Sequence, residues 1–63
     1  MYSIKVTKDK LNTASLDDLL TSMDALEYFL DIMDARRDNS DRYYEYASLS
    51  NAVSAEINRR RGA

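Results

Sequence analysis

The sequence predicts an all-α fold, an antiparallel helical hairpin with a short extended N-terminal arm, on three observations. Large apolar residues recur every three or four positions through the first half of the chain. A cluster of polar, turn-forming residues then interrupts this pattern, and the same spacing resumes more weakly after it. The two periodic segments are about equal in length, near twenty residues or about 30 Å each, so two antiparallel helices would match end to end.

The first helix is predicted over residues 15–37. Its apolar residues form one stripe, because residues three and four positions apart share a face of an α-helix. Ser15 is the expected N-cap, and Asp17 and Asp18 place negative charge at the positive end of the helix dipole. The stripe consists of Leu16, Leu19, Met23, Leu26, Leu30 and Met33, with Leu20 and Phe29 on its two flanks.

The predicted turn covers residues 38–40. Arg36 and Arg37 suit the negative end of the first helix dipole, and the following Asp-Asn-Ser-Asp run is typical of turns. Neither proline nor glycine enforces the break, so one long helix is the alternative. We prefer the hairpin because helical pairs are commonly joined by short polar loops.

The second helix is predicted over residues 41–61. Alanines lie beside its weaker apolar stripe and would allow the two helices to approach closely. The helix ends in a basic last turn, and Gly62 is the expected left-handed residue after it. The stripe consists of Tyr43, Tyr46, Leu49, Val53 and Ile57.

The N-terminal arm is predicted over residues 1–14. Tyr2, Ile4 and Val6 alternate with polar residues, which is the period of a strand. A single strand is not stable alone, so two interpretations stay open. Either the apolar residues of the arm pack on the helices, which we prefer, or the strand pairs across a dimer axis. Residues 8–14 show no periodicity.

The apolar surface predicts a homodimer. A chain of 63 residues buries only about 60% of the surface that its unfolded form exposes. Two helices cover one stripe of each other, yet Ala25, Phe29 and Ile32 form a second apolar edge. A second copy would cover it in a four-helix bundle. The residues expected in the core or dimer interface are Leu16, Leu19, Met23, Leu26, Phe29, Leu30, Met33, Tyr46, Leu49, Val53 and Ile57.

The composition excludes several classes of site. The chain has no cysteine and no histidine, which excludes disulfides, the usual zinc ligands, and Ser-His or Cys-His catalysis. Asp17, Asp24 and Asp31 repeat every seven residues, about 10 Å apart along a helix and too far to share one ion. We therefore expect no enzymatic activity, cofactor or metal. No apolar run is long enough for a signal peptide or membrane span, so we expect a cytoplasmic protein.

The first candidate binding site is the turn region, where Arg36, Arg37 and Arg42 surround Tyr43 and Tyr44. Arginine and tyrosine are common at protein interfaces, and arginine also binds phosphate while aromatic rings stack on bases. These residues would therefore serve the fold alone, a partner protein or, less favoured, RNA or DNA. Since Tyr43 fits the core stripe, Tyr44 is expected to be the exposed ring.

The second candidate is a basic patch at Arg59, Arg60 and Arg61. In an antiparallel hairpin these arginines lie near Asp17 and Asp18, and ion pairing with them is the simpler interpretation. The alternative is a phosphate-binding patch that also contains the lysines of the arm. Those lysines are Lys5, Lys8 and Lys10.

Taken from MYSIKVTKDK through LEYFLDIMDARR to NAVSAEINRRRGA, the chain resembles the small early proteins of lambdoid bacteriophages encoded between the exonuclease and excisionase genes. The resemblance implies a non-enzymatic protein that influences lytic versus lysogenic growth or the host cell cycle by binding an unidentified host or phage protein. It assigns no site residues. In architecture the chain is also similar to the plasmid copy-control protein whose hairpin dimers bind paired RNA loops.

Overall fold

The computed structural model describes residues 3–62, and in this range the chain is helical and contains no strand. Helix α1 spans Leu16–Ala35, helix α2 spans Asp41–Gly62, and a 3₁₀ helix at Lys8–Thr13 precedes them. The molecule measures 37 × 22 × 19 Å. The all-α prediction is confirmed. Tyr2, part of the predicted alternation, lies outside the described residues.

The two long helices pack against each other as an antiparallel hairpin. The Ser50 hydroxyl of α2 lies 3.9 Å from the sulfur of Met23 in α1. Nearer the turn, the rings of Phe29 and Tyr46 stack with centroids 5.9 Å apart. Residue numbers along α2 therefore decrease as those of their partners along α1 increase, which is the antiparallel arrangement. The alternative of one continuous helix is wrong.

Helix α1 begins as predicted but ends earlier. The Ser15 hydroxyl accepts a hydrogen bond from the amide of Asp18 at 3.1 Å, which satisfies one of the free N–H groups of the first turn. The last helical residue is Ala35 rather than Arg37. Arg36 and Arg37 instead close the helix, so their predicted place inside it is corrected.

Arg37 has a φ of 54°, the left-handed conformation that was predicted for Gly62 at the end of the second helix. Its amide donates to the carbonyl of Asp34 at 3.1 Å, and the amide of Asp38 donates to the carbonyl of Met33 at 2.8 Å. These two bonds form a Schellman motif, which satisfies carbonyls at the helix end. The Asp38 carboxylate then accepts from the amide of Ser40 at 2.9 Å and leads the chain into α2.

The expected glycine cap at the end of α2 is wrong. Gly62 belongs to the helix, and no described glycine has a positive φ. A left-handed residue reverses the chain after a helix, and α2 simply continues to the last described residue. The left-handed cap is used at Arg37 instead, where the chain must turn back.

The core lies between the two helices and the arm, which forms a third layer. Val6 of the arm is buried at 7% exposure, and Ile4 packs against the core, while Ser3, Lys5 and Thr7 are exposed. The alternation was therefore predicted correctly, but residues 3–7 form no strand and pack on the helices. The buried core residues are Val6, Leu19, Leu26, Val53 and Ile57, surrounded by Ile4, Leu11, Ala14, Met23, Tyr46 and Leu49.

Polar contacts hold the arm on both helices. The amide of Lys5 donates to the hydroxyl of Ser22 at 2.8 Å, and Ser22 is fully buried in α1. The Lys8 ammonium donates to the hydroxyl of Ser48 in α2. Ser22 lies three and four residues from the buried Leu19 and Leu26, which places it on the buried side of α1.

The two flanks of α1 differ from the prediction. Ala25, assigned to an edge that needed a second copy, is fully buried within the chain. Leu16 and Leu20 on the opposite flank are 44% and 42% exposed. The arm explains the difference because it lies against the side that carries Ser22, one turn before Ala25. Leu16 is therefore outside the core of the single chain.

Candidate partner-binding site at the helical turn

A cleft of about 620 Å³ opens between the C-terminal end of α1 and the N-terminal end of α2. Its volume lies in the range of ligand-binding pockets, about 300–1,000 Å³. Four apolar or aromatic residues and five polar ones line what we call the turn cleft. The lining residues are Phe29, Ile32, Met33, Tyr46, Arg36, Arg42, Asp38, Asp41 and Ser40.

Helical spacing builds both walls of the turn cleft. On α1, Phe29, Ile32 and Arg36 follow one another at intervals of three and four residues, so they share a face. On α2, Arg42 and Tyr46 are four residues apart and do the same. The stacked rings of Phe29 and Tyr46, inclined at 30°, join the two walls.

The electrostatics of the turn cleft leave its two arginines available. Hydrogen bonds from the backbone and hydroxyl of Ser40 lower the pKa of Asp38, and the charges of Arg42 and Arg36 lower it further. Across residues 3–62, however, no carboxylate lies within 4 Å of either guanidinium group. Arginines over an apolar floor form the combination that dominates many protein interfaces.

The structure separates the residues predicted for the turn site. Arg42 lines the turn cleft, whereas Arg37 is exposed at the helix end. Tyr43 is half-buried, and hydrogen bonding to the Asp34 carboxylate raises the pKa of its hydroxyl. Tyr44 is 61% exposed, as expected, and meets Tyr43 edge to face at 5.7 Å.

Tyr44 belongs to a different cleft, of about 460 Å³, between α2 and the arm. Val6 and Leu49 contribute its apolar surface, and Lys8 and Glu45 contribute charge. The predicted cluster is thus divided between two surfaces. Phe29, which the predicted turn site lacked, joins Arg36 in the first, and the spacing of these two residues on α1 was the signal for their shared face.

The basic patch is partly used by the fold. Arg59 and Arg60 both form ion pairs with Glu56, at 2.6 and 2.8 Å. The expected ion pairs with Asp17 and Asp18 are therefore wrong. Hydrogen bonds from Arg59, and then from Arg60, lower the pKa of Glu56 to about 2. The side chain of Glu56 is only 11% exposed.

Arg60 also connects α2 to the 3₁₀ helix. Its Nη2 donates to the carbonyls of Leu11 at 3.0 Å and Asn12 at 3.4 Å. Arg60 is therefore half-buried and structural, whereas Arg61 is exposed. Two of the three arginines assigned to the alternative phosphate-binding patch have internal partners.

Within the described part of the chain, no group of three or more acidic residues is arranged to hold a metal ion. No helix in that range is long and apolar enough to cross a membrane. Comparison of the chain with models of protein families, with curated proteins and with solved structures gives no match.

Proposed function

We propose that this protein is a small, non-enzymatic regulator or adaptor that acts in the cytoplasm by binding another protein through the turn cleft. The observation that carries the proposal is that Arg36 and Arg42, which form no ion pair within residues 3–62, line the same cleft as four apolar or aromatic side chains. These four, which form the apolar floor of the cleft, are Phe29, Ile32, Met33 and Tyr46. Partner side chains that fill the floor would exclude water and strengthen hydrogen bonds to both guanidinium groups.

The resemblance to early proteins of lambdoid phages supports a biological setting for the proposal. In that setting the protein works in the host cytoplasm and influences lytic versus lysogenic development or the host cell cycle. Its partner is then a host or phage protein, and it needs no cofactor.

Binding of RNA or DNA is the second candidate function, and arginines beside the aromatic rings of Phe29 and Tyr46 favour it. Asp38 and Asp41 on the same rim oppose it, since carboxylates repel phosphates. Salt dependence distinguishes the two functions. A phosphate-driven complex weakens steeply with salt because each neutralised phosphate releases counterions, and an apolar protein interface changes much less.

We also propose that the protein forms a homodimer, a four-helix bundle of two hairpins. Phe29 and Ile32, the part of the second apolar edge that stays half-buried, support it, and because both also line the turn cleft, a second copy would compete with the partner protein for them. The burial of Ala25 by the chain itself reduces the area that a second copy has to cover. Sedimentation over a range of concentrations tests the dimer, and a monomer at every concentration would exclude it.

The protein-binding function is tested by capture from cell lysate with and without nuclease treatment. Arg36→Ala combined with Arg42→Ala changes the turn cleft, and Arg37→Ala combined with Tyr44→Ala is the matched control outside it. Both pairs remove exposed groups, so helicity and stability stay within about 0.5 kcal/mol per site of the parent. We expect nuclease-resistant capture that the first pair loses and the second keeps.

Two results would contradict this proposal. Capture that disappears after nuclease treatment indicates nucleic acid. Capture that survives the first pair but not the second moves the site to the surface around Tyr44.

A further inference from the structure

We propose that the outer face of α1 is a second docking surface, separate from the turn cleft, for a basic amphipathic helix of a partner protein. Helix α1 contains six acidic residues and no lysine or arginine. Both ion pairs found within residues 3–62 belong to Glu56 of α2, so none of the α1 carboxylates has one. The six are Asp17, Asp18, Asp24, Glu27, Asp31 and Asp34.

Exposed leucines continue the line of these carboxylates. Leu16, Leu20, Asp24, Glu27 and Asp31 follow one another at intervals of three or four residues, so they form one stripe, and all are exposed. We call this the outer stripe. It is about 22 Å long at 1.5 Å per residue. One end is therefore apolar, and the remainder is acidic.

The shape and charge of the outer stripe favour a helical occupant. Asp24, Glu27 and Asp31 border a shallow depression of about 400 Å³ together with Tyr28. Carboxylates three and four residues apart on a helix repel one another, and no cation of α1 relieves this repulsion. A partner helix with lysines or arginines at the same spacing, and apolar residues at one end, would complement both halves.

A second copy of this chain does not offer that complement. Its own cations lie in the arm, around the turn and in the last turn of α2, and none forms a stripe beside exposed leucines. Two α1 helices packed through their outer stripes would bring carboxylates against leucines in an antiparallel pair and carboxylates against carboxylates in a parallel one. Nucleic acid and anionic membranes are repelled for the same reason.

The probe is a synthetic amidated peptide of about 18 residues, long enough for a helix of about 27 Å, whose one face carries leucines at one end and lysines three and four residues apart along the remainder. A scrambled peptide of the same composition, with no amphipathic face, is the peptide control. Binding to the full chain is measured by calorimetry at low and physiological salt. We expect the amphipathic peptide to bind with an affinity that decreases as salt rises.

Two charge-matched variants test the location. Asp24→Asn with Asp31→Asn removes two charges from the outer stripe, and Asp9→Asn with Glu45→Gln removes two exposed charges elsewhere. Loss of two exposed ion pairs weakens the peptide complex roughly three- to tenfold. The control pair removes the same net charge from outside the outer stripe, where salt screens these groups from the bound peptide, so it should change the affinity by less than about twofold.

The apolar end is tested with Leu16→Ser combined with Leu20→Ser, which should weaken the peptide complex about tenfold or more at every salt concentration. Should this pair lose helicity, the two charge variants still decide the question, since their sites are exposed and polar.

The proposal is overturned by equal weakening in both charge pairs, which would show general attraction, or by equal binding of the scrambled peptide. It is also overturned if the leucine pair changes the sedimentation of the chain alone, because the outer stripe would then be an interface between copies.

Discussion

Replacing Arg37 with glycine should stabilise the protein. At φ 54° the Cβ of an L-residue crowds the following carbonyl, at a cost of about 1–2 kcal/mol. Glycine removes that cost but loses more conformational freedom on folding, about 0.5–1 kcal/mol. The net gain is about 0.5–1 kcal/mol, which raises the melting temperature by about 2–8 °C in a domain of this size. The Arg37 side chain is exposed, so its loss removes no core contact.

Urea denaturation followed by circular dichroism at a fixed protein concentration measures this change. Arg36→Gly is the control, since the neighbouring Arg36 has an ordinary right-handed conformation with φ −90°. There glycine relieves nothing and should destabilise by about 0.5–1 kcal/mol. Both variants lose one arginine charge, so a gain in stability at position 37 and a loss at position 36 would assign the gain to relief of backbone strain.

Equal destabilisation by the two glycines would refute this reasoning. It would mean that Arg37 is not held in the left-handed conformation and that α1 ends by another route. Stabilisation by Arg37→Ala equal to that by Arg37→Gly would also refute it, because alanine keeps the Cβ that causes the strain.

Val6→Ala should destabilise the chain by about 1.6 kcal/mol, since it removes two buried methyl groups at about 0.8 kcal/mol each, and urea denaturation would detect it. Ser22→Ala should cost about 0.5–1.5 kcal/mol, the net contribution of one hydrogen bond, because the part-buried bond to the arm amide is lost; an unchanged midpoint would show that the arm is not anchored there. Glu56→Gln should flatten the dependence of stability on pH. The pKa of Glu56 falls from 4.5 to about 2 on folding, so its contribution is complete above about pH 4.5 and is lost as pH falls towards 2. Melting temperatures between pH 2 and 6 test this, and parallel curves for parent and variant would contradict it.

Local patterns predicted the hairpin well because its determinants are close in sequence. The spacing from Leu19 to Met33 located α1, and Ser15 with Asp18 marked its start. The left-handed Arg37 was missed because glycine is the usual residue there. The chain has no glycine at this point, and Arg37 takes the left-handed conformation because the turn requires it.

Contacts between distant segments were predicted less well. Ser22 is polar, and only the fold brings the amide of Lys5, seventeen residues earlier in the chain, beside its hydroxyl. The turn cleft depends on which residues of α1 face those of α2, such as Phe29 and Tyr46. Periodicity gives the face of each helix but not the register between two helices, so the membership of the cleft could not be predicted fully.

The contact between Arg60 and the carbonyls of Leu11 and Asn12 has a consequence for how the protein opens. It joins residues 48 and 49 positions apart, and the amide of Lys5 also bonds to Ser22 of α1, so the full set of arm contacts exists only after the hairpin has formed. The reverse is not required, since the pairing of Met23 with Ser50 involves no arm residue. Detachment of the arm is thus a local opening with a smaller free-energy cost than global unfolding. Amide protons such as that of Lys5 should exchange with solvent ahead of those in the middle of α1.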